Sequence, residues 1–272
     1  MGKFSGMLIC TDLDGTLLKN DKSISKENID AIEYFKSEGG YFTFITGRMP
    51  SFVLDFYNLL KPNTYVGCAN GSALYDFENK KYVWTAKMKD GAKELTRLID
   101  KKFPKVGIQV NTYYKVYFSK DNQTMKYFRK VTNAENLKMH YDDVCEPLAK
   151  VIFGTDDEVE IKEIEKTLTN HPLAKNFGFI RSEKSLFEIL PKGIGKGSTL
   201  KKLAEMLDIK NTVAIGDYNN DISMFETAKI GVAVSNACDD AKAKADFITV
   251  SNEENAVAKV IFDLEKEKLK FL

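Results

Sequence analysis

The sequence predicts an α/β protein: a doubly wound, mostly parallel sheet interrupted by an inserted α+β domain. Three observations lead there. Near the N-terminus, short apolar β-leaning runs alternate with amphipathic helical patterns. The same rhythm returns in the last third of the chain. Between them, about a hundred residues alternate irregularly, as an insertion between two halves of one domain would.

Taken in order, Met7–Thr11 is a short apolar strand that ends on Asp12-Leu-Asp-Gly-Thr16. Ser25 is placed to cap a helix that carries Ile29, Ile32 and Phe35 on one face, and Gly39-Gly40 stops it. Tyr41–Ile45 is a buried strand that ends at Thr46-Gly47-Arg48, and Pro50 opens a helix that runs to about Leu60. Tyr65–Cys68 is a third strand, followed by Ala69-Asn70-Gly71-Ser72. In the middle section, Tyr113–Phe118 and Lys150–Phe153 read as strands, and Phe177–Ile180 with Ser185–Ile189 as a hairpin turning at Ser182-Glu183-Lys184. Lys196–Leu207 has Leu200, Leu203, Ala204 and Leu207 at helical spacing. Thr212–Ile215 is a strand running into Gly216-Asp217-Tyr-Asn-Asn-Asp221; Ile230–Val234 and Phe247–Val250 are further strands, and a charged amphipathic helix closes the chain. The core is expected to take about residues 1–84 and 188–272, with 85–187 inserted.

Composition narrows the function. At 272 residues, with 43% hydrophobic and 29% charged, the chain suits one large or two modest globular domains. Lys+Arg 40 against Asp+Glu 39 leaves a net charge of +1, so no broad field favours nucleic acid or an anionic membrane. No apolar run approaches the ~20 residues that span a bilayer, and Met1–Leu8 has no signal-like apolar stretch, so a cytoplasmic protein is expected. Cys10, Cys68, Cys145 and Cys238 form no C-x-x-C pair and are expected to be reduced and mostly buried. With only His140 and His171, and no G-x-S-x-G, neither a zinc site nor a serine triad has its parts, and both histidines are expected on the surface or in loops.

The remaining chemistry is carried by carboxylates, lysine and hydroxyls. Asp12 and Asp14, Thr46-Gly47, and Asp217, Asn220 and Asp221 each follow a predicted strand, and Lys196 opens a helix. Ligands of an open parallel sheet bind at the carboxyl ends of its strands, so these groups would meet at one edge. A carboxylate can attack phosphorus, and a second carboxyl two residues on can protonate the leaving oxygen and later deprotonate water. Converging carboxylates call for a hard cation, and Mg²⁺ suits oxygen donors. Lysine and hydroxyl donors would hold the remaining phosphate oxygens.

Each motif also has a plainer explanation. Asp-x-Asp-Gly-Thr alone could be a turn after a strand, and Asp217–Asp221 could simply cap the next helix. Gly195-Lys196-Gly197-Ser198 is no P-loop, because a Walker A lysine is followed directly by Ser or Thr. Tyr113, Tyr114, Tyr117 and Phe118 could line a pocket or alternate between core and solvent; Arg48 could contact phosphate or form a structural ion pair; Trp84 is a packing residue.

The four clusters together resemble the haloacid dehalogenase-like superfamily: Asp12-Leu-Asp-Gly-Thr16, Thr46-Gly47-Arg48, Lys196-Gly197 and Gly216-Asp217-Tyr-Asn-Asn220-Asp221 stand in the family's order. Ile189-Leu-Pro-Lys-Gly-Ile-Gly-Lys-Gly197, Ala69-Asn-Gly71 and Val232-Ala-Val-Ser-Asn-Ala237 followed by Ala245-Asp246 resemble its Cof-type branch, although Val234 and Ser235 stand where Met and Gly are common. The resemblance covers the whole chain and implies a Rossmann-like core with a type IIB cap that closes over the site and sets specificity. It implies Asp12 as nucleophile and metal ligand, and Asp14 as general acid/base and metal ligand through its backbone carbonyl. Thr46, Gly47, Lys196 and Asn220 would bind phosphate, Asp217 would bind the metal, and Asp221 would orient Lys196 or a metal-bound water. Lys196 and Mg²⁺ would keep Asp12 ionised, while crowding would keep Asp14 protonated. The presence of Asp14 points to phosphate chemistry and away from carbon–halogen cleavage. The implied function is a Mg²⁺-dependent phosphatase for a small phosphorylated metabolite, a sugar phosphate foremost, with pyridoxal phosphate and flavin mononucleotide as further options. A monomer or weak homodimer with no nucleic-acid or membrane partner is expected. A phosphomutase is the enzymatic alternative, and a non-catalytic aspartate phosphoacceptor or sensor the other.

Overall fold

The computed structural model describes residues 2–269. The chain opens with β1 (Met7–Thr11), α1 (Lys26–Ser37), β2 (Tyr41–Phe44), α2 (Leu54–Leu60), β3 (Val66–Cys68), β4 (Ala73–Asp76) and β5 (Lys81–Thr85). The middle holds α3 (Ala92–Lys102), β6 (Gly107–Thr112), β7 (Val116–Lys120), α4 (Gln123–Val131), β8 (Leu148–Gly154), α5 (Glu158–Thr169), β9 (Phe177–Glu183) and β10 (Leu186–Pro191). Then come α6 (Lys196–Leu207), β11 (Asn211–Gly216), α7 (Asn219–Thr227), β12 (Ile230–Ala233), α8 (Asp239–Lys244), β13 (Phe247–Ile248) and α9 (Ala256–Glu265). Two compact units meet in the chain at Trp84/Thr85 and at Ile194/Gly195. The second boundary corrects the expected return at residue 188: β10 runs to Pro191 and pairs with β8 and β9, so it belongs to the insertion.

In the unit that carries both chain ends, the sheet runs β13-β12-β11-β1-β2, every neighbour parallel, and a single parallel bridge from Ile45 to Gly67 brings β3 beside β2. The chain steps from β1 to β2 in one direction and from β11 to β12 in the other. Right-handed crossovers then put α1 and α7 on opposite faces. Strands covered on both faces must be apolar throughout, and Leu8, Ile9, Cys10, Val213, Ala214 and Ile215 are all fully buried. Ser25 caps α1, its hydroxyl accepting from the Asn28 amide at 3.2 Å.

One local expectation changes. The helix after Pro50 is a 3₁₀ turn, Pro50–Phe52, separated from α2 by Val53 at φ −126°, ψ 7°, outside helical geometry. The stretch before Trp84 folds as β4 and β5 against β3. The closing helix α9 is amphipathic as expected, with Val257, Val260, Ile261 and Leu264 buried and Lys259 paired to Asp263.

The inserted unit is a five-stranded antiparallel sheet, β7-β6-β8-β10-β9. Ile108, Val110, Val151, Phe153, Phe187 and Ile189 share one face and pack into an apolar core with Leu95 and Ile99 of α3 and Ile161, Ile164 and Leu168 of α5. Tyr113 and Tyr114 lie in a turn, which corrects the continuous strand expected over 113–118. The Thr112 hydroxyl accepts from the amides of Tyr114 (3.1 Å) and Lys115 (2.8 Å), and that local capture reverses the chain. The β9–β10 turn likewise falls after Glu183. Tyr117 joins the apolar core, Phe118 is buried with Arg129 over its ring, and Tyr114 is exposed. Cys10 and Cys68 are buried, but Cys238 is half-buried and Cys145 exposed, which corrects the expectation that most would be buried. His140 is exposed, and His171 is half-buried at the start of a 3₁₀ turn. Trp84 is half-buried, with the Lys202 ammonium 4.8 Å from its ring centre. No helix among the described residues is long and apolar enough to cross a membrane.

On the other face of the inserted sheet, Lys150 and Glu188 form a buried ion pair at 2.8 Å, and the Ser182 hydroxyl donates to Glu188 at 2.5 Å. Removing one partner strands a charge away from water. Lys150→Met is expected to cost about 3–5 kcal/mol, and adding Glu188→Leu to recover most of it. Urea unfolding midpoints of the single and double variants check this.

Candidate active site

The strand order reverses between β1 and β11, which opens a crevice beyond their carboxyl ends. Asp12 is the first residue past β1, and its amide donates to Ile215 O of β11 at 2.8 Å. Asp217 is the first residue past β11. Gly15 lets the two loops approach: it sits at φ +78°, and a Cβ there would come within 2.5 Å of Asp217 Oδ2. Thr16 Oγ1 donates to Asp217 Oδ1 at 3.0 Å and fixes that carboxylate.

Lys196 is the first residue of α6, and its side chain is fully buried. Its ammonium bridges Asp12 Oδ1 and Asp221 Oδ1, each at 2.6 Å. Asp221 lies in the first turn of α7, where its second oxygen accepts from the amides of Asp217 (2.9 Å) and Tyr218 (3.1 Å). One carboxylate therefore caps the helix and seats the lysine. A Cβ at position 216 would fall 2.4 Å from Asp221 Cγ, so glycine is required there. Asp12, Asp217 and Asp221 each present an oxygen within 4.8 Å of the others.

Thr46 follows β2; its hydroxyl accepts from the Arg48 amide at 3.2 Å and keeps its own proton to donate. The half-buried Gly47 amide has no acceptor among the described residues. Asn220 donates through Nδ2 to Asn70 Oδ1 at 3.0 Å, and its own Oδ1 is buried without a partner. Asp14 points elsewhere. Arg48 Nε and Nη2 hold its two oxygens at 2.7 Å each, and Lys22 Nζ donates to Oδ1 at 2.9 Å. Arg48 had two candidate roles in the sequence, and here it forms an ion pair with Asp14. Lys22 carried no sequence signal. Thr16 lies inside the first motif and Asn70 inside Ala69-Asn-Gly71, so position alone could have found them.

The electrostatics reverse one expectation. Burial pushes the Asp12 carboxyl up to about 7; Lys196 pulls it down, and the charge of Asp221 pushes it up again. Burial, Asp221 and Asp12 likewise hold Asp217 well above the usual carboxylate range. For Asp14 burial also acts upward, but the hydrogen bonds and charges of Arg48 and Lys22 outweigh it and hold the carboxyl at about 2. Burial alone would lower Lys196, yet Asp12 and Asp221 keep it above its ordinary value. Crowding was expected to keep Asp14 protonated, whereas Arg48 and Lys22 do the opposite; Asp12, expected ionised beside Lys196 and Mg²⁺, is raised by burial where no cation balances it.

Two buried carboxylates and a half-buried one around one ammonium leave negative charge uncompensated, and that charge lies on hard oxygen donors. The set fits a divalent cation of the Mg²⁺ type. Burial foremost, with mutual repulsion added to it, raises Asp12 and Asp217, and a cation among these oxygens would relieve the repulsion.

Comparison with known proteins identifies relatives across almost the whole chain. A family model described as haloacid dehalogenase-like hydrolase matches residues 9–261. The 5-amino-6-(5-phospho-D-ribitylamino)uracil phosphatase YcsE of Bacillus subtilis is 30% identical over 260 residues, covering 93% of this chain and 94% of that protein. The pyridoxal phosphate phosphatase YbhA of Escherichia coli is 28% identical over 268 residues, covering 94% of this chain and 97% of its own. A solved haloacid dehalogenase-like hydrolase from B. subtilis has the same fold, with a TM-score of 0.84 at 25% identity across 94% of this chain and 99% of that one. With the ordered motifs converging at one sheet edge, this chain belongs to the haloacid dehalogenase-like hydrolase family.

Proposed function

We propose that this protein hydrolyses a small phosphorylated metabolite through an aspartyl phosphate on Asp12, with Mg²⁺ as its metal. The general class, a phosphoric monoester hydrolase, follows from the family and its phosphatase relatives. The observation that carries the finer reading is the Lys196 ammonium held at 2.6 Å from both Asp12 and Asp221, beside Asp217, at the switch point of the sheet. A phosphorylated sugar or sugar alcohol is the proposed substrate class, in keeping with the phosphoribityl compound named for one relative.

In this reading a carboxylate oxygen of Asp12 attacks phosphorus and the ester P–O bond breaks. Asp14, which Arg48 and Lys22 hold as a carboxylate, takes up a proton from solvent when substrate binds and gives it to the leaving oxygen. Lys196, the Thr46 hydroxyl, the Gly47 amide and Asn220 bind the phosphoryl oxygens. Water then attacks phosphorus, Asp14 takes up its proton, and phosphate leaves as Asp12 is restored. The Asp14 carboxylate between Arg48 and Lys22 stands in the proton-accepting form that this second half needs. Asp12, Asp217 and the Asp14 main-chain carbonyl would hold Mg²⁺, which supplies charge compensation for the phosphoryl group when bound. Asp221 keeps Lys196 in place.

Phosphate release from a panel of sugar phosphates, pyridoxal phosphate, flavin mononucleotide and p-nitrophenyl phosphate tests the function. Release is expected with Mg²⁺, to stop with EDTA, and to fall about 10³-fold or more in Asp12→Asn. Phosphoryl transfer to a second sugar in place of free phosphate would make the enzyme a mutase.

Stability should report the charge imbalance separately from activity. Asp12 is raised to about 7, so the folded protein without a cation binds more protons than the unfolded chain from the ordinary carboxylate range up to that value. Its contribution therefore destabilises progressively as pH rises through this window. Mg²⁺ is expected to raise the melting temperature more at about pH 8 than at about pH 5. Differential scanning fluorimetry checks this, and an equal shift at both pH values would contradict it.

A further inference from the structure

Asp14 is gripped from two sides, and one grip comes from a loop that the reaction as described leaves without a task. The first is Arg48, nearly buried, whose Nε and Nη2 meet the two Asp14 oxygens at 2.7 Å each. This is the planar two-point match that guanidinium makes and ammonium does not. The guanidinium carbon also lies 5.4 Å from the ring centre of Phe56, which limits how the group can tilt.

The second grip is Lys22, whose ammonium reaches Asp14 Oδ1 at 2.9 Å. Lys22 sits at φ 68°, a left-handed backbone conformation that a residue with a Cβ adopts at a cost. Its loop is tied on several sides. The Lys19 amide donates to Ser23 O at 2.9 Å and the Lys22 amide to Lys19 O at 2.9 Å. Asp21 Oδ1 accepts from both the amide (2.9 Å) and the hydroxyl (2.6 Å) of Ser23. Buried Asn252 donates to Leu18 O at 2.9 Å, and its amide donates to Asn236 Oδ1 at 2.9 Å. Asn236 in turn donates to Gly15 O at 2.8 Å, and Glu253 accepts from the Asn20 amide at 2.7 Å. These eight hydrogen bonds brace the turn from which the Lys22 ammonium reaches Asp14.

We propose that Arg48 and Lys22 are positioning residues for Asp14: together they fix the direction from which its carboxyl exchanges protons with the leaving oxygen and with water. Arg48 turns the face of its fork to Asp14 and is assigned to that carboxylate, not to the phosphate of the substrate. This rests on the phosphatase reading above.

The test compares kcat/KM for two esters, p-nitrophenyl phosphate and benzyl phosphate. For a covalent mechanism kcat/KM covers only the steps through alcohol release. The nitrophenolate leaves with little help from an acid, and the benzyl alkoxide needs a proton in place. The variants are Lys22→Met, which changes a partly exposed loop residue, and Arg48→Ala with Arg48→Lys beside it. Loss of positioning is expected to lower benzyl phosphate turnover by about tenfold more than p-nitrophenyl phosphate turnover in Lys22→Met. The gap is expected to widen to about a hundredfold in Arg48→Ala and to be only partly recovered in Arg48→Lys. An equal fall on both esters, or no fall in Lys22→Met, overturns the assignment, because a general loss of folding or of phosphate binding moves both alike. If the parent protein releases phosphate from neither ester, the hydrolase reading itself fails, and the assignment with it.

Discussion

One ammonium among three carboxylates constrains the rest of this structure. Lys196 lies fully buried between Asp12 and Asp221, with Asp217 close by. An ammonium so placed is tolerable only because its partners meet it at hydrogen-bond distance, and the carboxylates only because Lys196, Thr16 and the amides of Asp217 and Tyr218 share their charge. Removing Lys196 would leave the buried Asp12 and Asp221 carboxylates without their cation. The site is therefore rigid before substrate arrives, as stabilisation of developing charge requires.

The fold supplies that convergence through its connectivity. Because β1 feeds one half of the sheet and β11 the other, the loops after them face one gap. Gly15 and Gly216 let the backbones close in on Asp217 and Asp221, where any side chain would collide with a carboxylate. The two aspartates of the first motif are then divided by their surroundings. Asp12 faces buried acids and is hard to ionise, whereas Asp14 faces two cations and ionises readily. Residues two apart in sequence have opposite proton affinities because neighbours distant in the chain decide them.

This explains how much was legible beforehand. Asp12, Thr46, Asp217 and Lys196 could be located because each stands at a strand end or helix start, which apolar periodicity marks locally. The parallel core was readable for the same reason. The order of the two aspartate pKa values was not, since it depends on desolvation and on Arg48 and Lys22 reaching Asp14 from separate loops. Nor was the return boundary, because β10 is apolar whichever unit it joins, and only its pairing with β8 and β9 assigns it. The turn at Tyr113 was hidden by aromatic residues that favour strands, and the hydroxyl of Thr112 overrides that preference.

Rapid acid quench during turnover of radiolabelled phosphomonoester, followed by peptide mapping, tests the assignment of Asp12 most directly. Label is expected on the peptide that carries Asp12, and is expected to be absent from Asp12→Asn. Label on another residue, or turnover that persists with no labelled protein in either chain, would contradict it.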